Sequence, residues 1–235
     1  DTTATTLSMS AIESVVGTSV DGDIIRLLGA SNASVSAIET VIGSTSSDTI
    51  SLLAAGTLNV SSVESVLGTS GTDIVNRLGA GAMRVSGVES VVGSSGTDSV
   101  TLVGGGALSV SSVETLVGSS EVDTATMLAA GTMRVSVVDT VLGSAGSDNI
   151  AILGGGLTAI SDVETVIGGA STDSVAMLSG GTLAISSVES IEGTAGASDV
   201  LRMLGAGTAS VSAIESVLGS AGSDTAVMLA SGDLA

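Results

Sequence analysis

Eighteen of the 24 acidic residues of this 235-residue chain fall in two evenly spaced columns. One column is Glu13, Glu39, Glu64, Glu89, Glu114, Asp139, Glu164, Glu189 and Glu215. The other is Asp23, Asp48, Asp73, Asp98, Asp123, Asp148, Asp173, Asp199 and Asp224. Carboxylates so placed can hold a cation such as Ca²⁺, act as an acid and base pair on a glycosidic bond, or accept hydrogen bonds from the N–H groups of their own turns. The glycosidase reading fits least. A pair that recurs nine times is periodic architecture, whereas an active site breaks a repeat once. The positions that do break it are Arg77, Glu121, Asp162, Glu192 and two loop insertions, and they form no constellation.

The remaining composition narrows the chemistry further. The chain has no His, Cys, Lys, Pro or aromatic residue. Zinc sites of His and Cys, thiol nucleophiles and Ser-His-Asp triads are excluded. Schiff-base lysines and P-loops are excluded too. Polysaccharide enzymes built on solenoids grip sugar with aromatic and basic side chains, and this chain lacks that set, so we expect no enzyme. The net charge of −19 repels nucleic acid and anionic lipid and attracts cations. Mean hydropathy is high, at +0.66. Disordered chains combine high charge with low hydrophobicity, so an ordered fold is expected.

What positions the acids is a repeat. Val60-Ser61-Ser62-Val63-Glu64-Ser65-Val66-Leu67-Gly68 recurs from Val85, Val110, Val135, Ile160, Ile185 and Val211, and earlier copies begin at Met9 and Val35. The spacing is 25 residues in six of eight steps and 26 in the other two. Both extra residues fall in the same loop, between positions 17 and 23 and between 193 and 199. Loops tolerate insertions that strands do not. Within one unit, three short apolar segments, at 63–67, 73–78 and 82–85, alternate with Gly and Ser breaks. Segments of this length and β-branched content read as strands. One unit cannot close its own apolar face, but stacked units can. We therefore expect an all-β, parallel β-solenoid (β-helix or β-roll) forming one domain over residues 1–235. It would have nine 25-residue coils of three short strands each. Like acids would then stand about 4.8 Å apart up the stack.

Two aliphatic columns are expected inside. One is Ile12, Ile38, Val63, Val88, Val113, Val138, Val163, Val188 and Ile214; the other is Leu28, Leu53, Leu78, Val103, Leu128, Leu153, Leu178, Leu204 and Leu229. The column Gly56, Gly81, Gly106, Gly131, Gly156, Gly181, Gly207 and Gly232 is expected to need positive φ or a close approach at a corner. Arg77 and Glu192 each replace an aliphatic residue, so their two columns are expected to face solvent or a partner. That leaves an outer aliphatic stripe at Val16, Ile42, Leu67, Val92, Val117, Leu142, Ile167 and Leu218.

Each Asp of the second acidic column closes a Gly-containing loop, as in Gly68-Thr69-Ser70-Gly71-Thr72-Asp73 and Gly143-Ser144-Ala145-Gly146-Ser147-Asp148. This resembles the calcium loop of RTX repeat proteins, in which Asp side chains and carbonyls of successive turns hold Ca²⁺ along a parallel β-roll. The likeness covers about nine residues of each unit; the second Gly of the family loop is kept only at Gly168-Gly169 and is Ser or Thr in the other units. It implies Ca²⁺ on the Asp column. The residues by themselves equally allow each Asp to bond its own turn. The wider pattern is similar to repeats of large secreted bacterial surface proteins, which are exported by type I secretion and serve as adhesins, surface layers or matrix fibres.

The functional expectation is a structural, self-assembling protein of the bacterial cell surface or exterior: a filament, surface layer, biofilm matrix or adhesin stalk. Its partner would be itself. Axial stacking is expected because no capping segment is visible at either end, and lateral packing through the outer stripe. Nucleic acid and a membrane span are not expected, and the opening Asp1-Thr2-Thr3 offers no Sec-type leader. One alternative is an RTX-like module that folds on meeting Ca²⁺ outside the cell. Another is an ice-binding solenoid, from Thr57, Thr132, Thr182 and Thr208, a column interrupted by Ala82, Ala107 and Leu157.

Overall fold

The computed structural model describes residues 5–229, so Asp1, Thr2, Thr3 and Gly232 lie outside the described residues. Strands of three to six residues form wherever Val, Ile, Leu or Met alternates with Ser, Thr or another small residue. Among the described residues all regular structure is strand, and no helix is long and apolar enough to cross a membrane. The chain divides into two compact units, residues 1–115 and 116–235.

In the first unit the strands alternate between two sheets. Thr6–Met9, Ile24–Leu27, Thr40–Ile42, Thr57–Ser61, Ile74–Arg77, Ser90–Val92 and Gly106–Ser111 lie side by side in that order in the first sheet. The strands between them in sequence, from Ser14–Val16 to Asp98–Leu102, form the second sheet. The second unit repeats the plan. Its first sheet runs from Asp123–Met127 to Thr225–Met228, and its second from Thr132–Ser136 to Ser216–Leu218. Thr115–Val117 lies at the boundary. All pairing within each unit is parallel; Ile50 opposes Val66 and Val66 opposes Val85 in the second sheet, while Val75 opposes Val91 in the first.

The fold is thus an all-β parallel β-solenoid, as the repeat predicts, but its turn is shorter than the sequence unit. There are about 13 turns of about 17 residues, with two strands per turn. The expectation of nine 25-residue coils with three strands each is corrected: one sequence unit supplies three strands and therefore spans one and a half turns. Successive units begin on opposite sheets, as Ser65–Leu67 and Ser90–Val92 do. Equivalent residues on one edge stand three turns apart, about 14 Å, and not about 4.8 Å.

The core is a single layer between two sheets, which lie about 10 Å apart in such stacks. Val41, Val66, Val75, Val91 and Val100 are wholly buried in the first unit, as are Val141, Ile150, Val166, Val175 and Leu201 in the second. A layer this thin has no place for an aromatic ring, and each buried aliphatic contributes about 1.5–3 kcal/mol. The column from Ile38 to Val188 is buried as expected; Ile12 is 39% exposed in the first turn and Ile214 is half-buried.

Several expectations about the columns are corrected. The column Leu28, Leu53, Leu78, Val103, Leu128, Leu153, Leu178 and Leu204 points outward, 40–64% exposed. Each follows the last strand residue, where the chain rounds the corner, so the period of two places its predecessor inside instead. That predecessor column, Leu27, Leu102, Met127, Ile152, Met177 and Met203, is buried, and Arg77 belongs to it. Arg77 does not face solvent: it is 8% exposed and paired with Asp98. Among the corner glycines, positive φ occurs at Gly81, Gly106 and Gly156 and not along the whole column. The threonines of the ice-binding expectation do not share a column, because Thr57 and Thr208 lie in the first sheet and Thr132 and Thr182 in the second. The outer stripe is likewise divided: Val16, Leu67, Ile167 and Leu218 are exposed on the second sheets, and Ile42, Val92 and Leu142 are half-exposed on the first sheets, because successive units begin on opposite sheets.

Candidate functional site

Both acidic columns lie at the corners, split between the two edges. In the first unit Asp23 and Asp73 stand on one edge and Asp48 and Asp98 on the other. The second unit has Asp123, Asp173 and Asp224 on one edge and Asp148 and Asp199 on the other.

Every member of the Asp column from Asp23 to Asp199 is at most 1% exposed, and Asp224 is half-buried. The loop before it folds back over its carboxylate. Oδ2 accepts an N–H from the residue after the loop's first glycine in every unit, at 2.5–2.7 Å, for example from Thr69 to Asp73 and from Ser144 to Asp148. Where that residue is Ser or Thr, its hydroxyl adds a second bond at 2.8–3.0 Å. The Ser or Thr that follows the first glycine thus has a structural role at every corner except that of Gly169. Oδ1 reaches to the preceding turn, where the N–H of Gly56, Gly81, Gly131, Gly181 or Gly207 donates at 3.0–3.2 Å to Asp73, Asp98, Asp148, Asp199 or Asp224. Oδ1 of Asp48, Asp123 and Asp173 is buried without a partner. At Asp173 the Gly156 N–H goes instead to the Thr172 carbonyl, at 3.1 Å.

The Glu column is placed by the opposite half of the same corner. Each carboxylate accepts the backbone N–H of the Asp one turn earlier, at 2.6–2.8 Å: Asp48 to Glu64, Asp98 to Glu114, Asp148 to Glu164 and so on from Asp23 to Asp199, with Asp139 serving in place of Glu for Asp123. The members of this column range from half-buried to exposed. Stacking therefore sets Asp against Glu one turn apart, and N–H dipoles lie between the two charges.

These donors tune the acids. Hydrogen bonds from the Thr18 and Thr5 N–H groups, helped by both hydroxyls, hold the Asp23 carboxyl far below the usual carboxylate range. Asp173 moves the other way: burial raises it, the Gly169 N–H offsets that in part, and the Glu189 charge adds to the rise. Gly169 has no hydroxyl, and Asp173 Oδ1 is without a donor.

The corner turns on two further features. The residue two before each Glu adopts φ between +50° and +60°: Ala11, Ala37, Ser62, Gly87, Ser112, Val137, Asp162, Ser187 and Ala213. Its carbonyl rests on the first glycine of the loop in the preceding turn. A Cβ on Gly43, Gly68 or Gly93 would lie 1.7 Å from the carbonyl oxygen of Ser62, Gly87 or Ser112. Those glycines are required by close approach.

The sequence set the Asp residues at loop ends but read them as one ladder, and it missed the partnership of Asp with Glu and the left-handed residue. A signal for the first is present. The Asp-to-Glu interval stays at 16 residues even where a unit has 26, as in Asp23 to Glu39 and Asp199 to Glu215. That constant interval is one turn. No signal marks the second, because one of nine left-handed positions is glycine.

As a cation site the corner is donor-rich: N–H and O–H groups point at the Asp carboxylates, and among the described residues no three acids come together around a point. No protein-family model, curated protein or solved structure matches the chain. The geometry defines a class: a parallel β-solenoid whose turns are tied at both edges by buried carboxylates.

Proposed function

We propose that the chain is a structural, self-assembling extracellular protein, an element of a bacterial filament, surface layer, matrix or adhesin stalk. The carrying observation is that the acids, its most numerous ionisable groups, have the same hydrogen-bonded setting in unit after unit from Asp23 to Asp199. Groups repeated with one geometry hold a stack together and single out no substrate. The outward leucines support association, since Leu28, Leu78, Leu128 and Leu178 are each at least half exposed. Negative-stain microscopy with light scattering tests the reading. Ordered assemblies that grow with concentration are expected, and a monomer at every concentration would remove it.

A second reading, folding on Ca²⁺ outside the cell, draws on the three buried Oδ1 atoms of Asp48, Asp123 and Asp173. Circular dichroism with and without a chelator separates it from the first, because loss of the β signal on chelation belongs to this reading alone.

A further inference from the structure

Between the left-handed corner of one turn and the glycine corner of the next, the edge opens into a cleft. At Met177 it measures about 110 Å³ and is lined by Ser161, Glu164, Ser179 and Gly181. The same cleft recurs over Leu52 and Ile152, at about 170 Å³ each, and over Met203, at about 320 Å³. Each has an aliphatic or Met floor and one member of the Glu column on its wall: Glu39, Asp139, Glu164 or Glu189.

One unit shows what such a space accepts. Where the residue at the floor position is Arg77, its guanidinium turns to the carboxylate and carbonyl groups of its own corner. Nε lies 3.1 Å from Asp98 Oδ1, and Nη2 donates to the Gly79 carbonyl at 3.3 Å. The Glu64 carboxylate, on the wall, adds to the attraction. The corner of one unit thus holds a guanidinium of the chain itself against a carboxylate. An arginine entering another cleft from outside would find an apolar floor for its methylene stem and a carboxylate for its head.

The chain also carries arginines that are not used this way. In the first unit Arg84 is exposed on the outer face of the second sheet, with Ser65 and Thr101 as its register neighbours. In the second unit Arg134 and Arg202 are exposed on the corresponding face, beside Ala151 and between Ala184 and Leu218. A basic face and acidic edges on one chain of net charge −19 are complementary surfaces.

We infer that the edge clefts dock arginine side chains of a second copy of this chain, with Arg84, Arg134 and Arg202 as the donors. The inference rests on the self-assembly reading and names its contact: face of one copy to edge of the next. Sedimentation velocity on the full chain at low and high salt tests it, alongside the triple variant Arg84→Gln, Arg134→Gln, Arg202→Gln and the single variant Met177→Arg. The single variant fills a cleft from within, as Arg77 does. Circular dichroism checks that each variant folds. The expected result is a triple variant that associates at least about tenfold more weakly than the parent at the same salt concentration, with Met177→Arg shifted the same way. Association of the triple variant within about twofold of the parent would overturn the arginine contact while leaving self-assembly standing. A parent chain that stays monomeric would overturn both.

Discussion

Asp73 and Glu89 clasp one another across a turn: the Asp73 N–H donates to Glu89 Oε2 at 2.7 Å, and the Glu89 N–H donates to the Asp73 carbonyl at 3.1 Å. Two columns that read as separate ladders are therefore halves of one clamp. The repulsion expected of stacked carboxylates is offset because each charge faces N–H dipoles. Removing the Glu89 side chain leaves the Asp73 N–H buried and unpaired. Glu89→Ala is expected to cost about 1–3 kcal/mol, and Glu89→Gln clearly less, since an amide oxygen still accepts. Urea unfolding of the two variants decides; equal losses would mean the clamp is not the source of stability.

Arg77 and Asp98 make a coupled test. The Arg77 column holds Met127, Met177 and Met203 in other units, so the site suits Met. Arg77→Met is expected to be neutral or stabilising by about 1–4 kcal/mol, because it removes a charge that burial destabilises. Asp98→Ala strands the buried guanidinium and is expected to cost about 3–5 kcal/mol in the parent. In the Arg77→Met background the same change should cost less. A double-mutant cycle showing no coupling would sink the account of this pair.

Gly93 has a carbonyl where its Cβ would be, 1.7 Å from the Ser112 oxygen. Gly93→Ala must push two turns apart and is expected to cost about 3 kcal/mol or more. Gly131 offers a control, with open space at its Cβ and no positive φ; Gly131→Ala is expected to fall within about 0.5 kcal/mol of the parent. Thermal unfolding of both separates close approach from a general intolerance of substitution.

Strand positions and the all-β class were legible because period-two alternation and Gly/Ser breaks are local. Turn size was not. Sequence identity recurs every 25 residues, but pairing follows geometry, and a half-turn offset makes the same sequence serve both sheets. Arg77 was misplaced for a related reason: charge argued for solvent, while an Asp one turn on supplied a buried partner. Leu28 and its equivalents were read as core from aliphatic identity alone, although they sit one residue past the strand.

Val137 is a β-branched residue at φ +55°, 62% exposed, in a position where other units carry Ala, Ser, Asp or Gly. Left-handed backbone costs a non-glycine residue about 1–2 kcal/mol, and Val has no local hydrogen bond to offset it. Val137→Asn keeps the fold and relieves the strain. A rise of about 1 kcal/mol in unfolding free energy is expected, read by denaturant midpoint at unchanged slope. A fall would mean that Val137 contributes packing that its exposure hides.

Asp173 gives the pH prediction. Its carboxyl is raised above the ordinary 3.8 chiefly by burial; the Gly169 N–H offsets part of the rise and the Glu189 charge adds to it. An acid raised in the folded state binds its proton more tightly there, so its contribution favours the fold at low pH and is lost as pH rises through the raised value. Gly169→Ser restores the hydroxyl that Ser144 gives Asp148 at 2.9 Å. The new Cβ would lie 3.0 Å from the Ile152 carbonyl oxygen, which a small shift relieves. We expect a gain of about 1 kcal/mol at the pH where the carboxylate is ionised and uses the bond. The gain should shrink as pH falls toward the ordinary carboxylate range and Asp173 protonates. Asp23 runs oppositely: held low by Thr18 and Thr5, it favours the fold above the ordinary carboxylate range and loses that only in strong acid. Stability measured against pH for parent, Gly169→Ser and Asp23→Asn resolves the two signs. A Gly169→Ser gain that stays constant from neutral to acid would show that the hydroxyl acts on packing and not on the charge of Asp173.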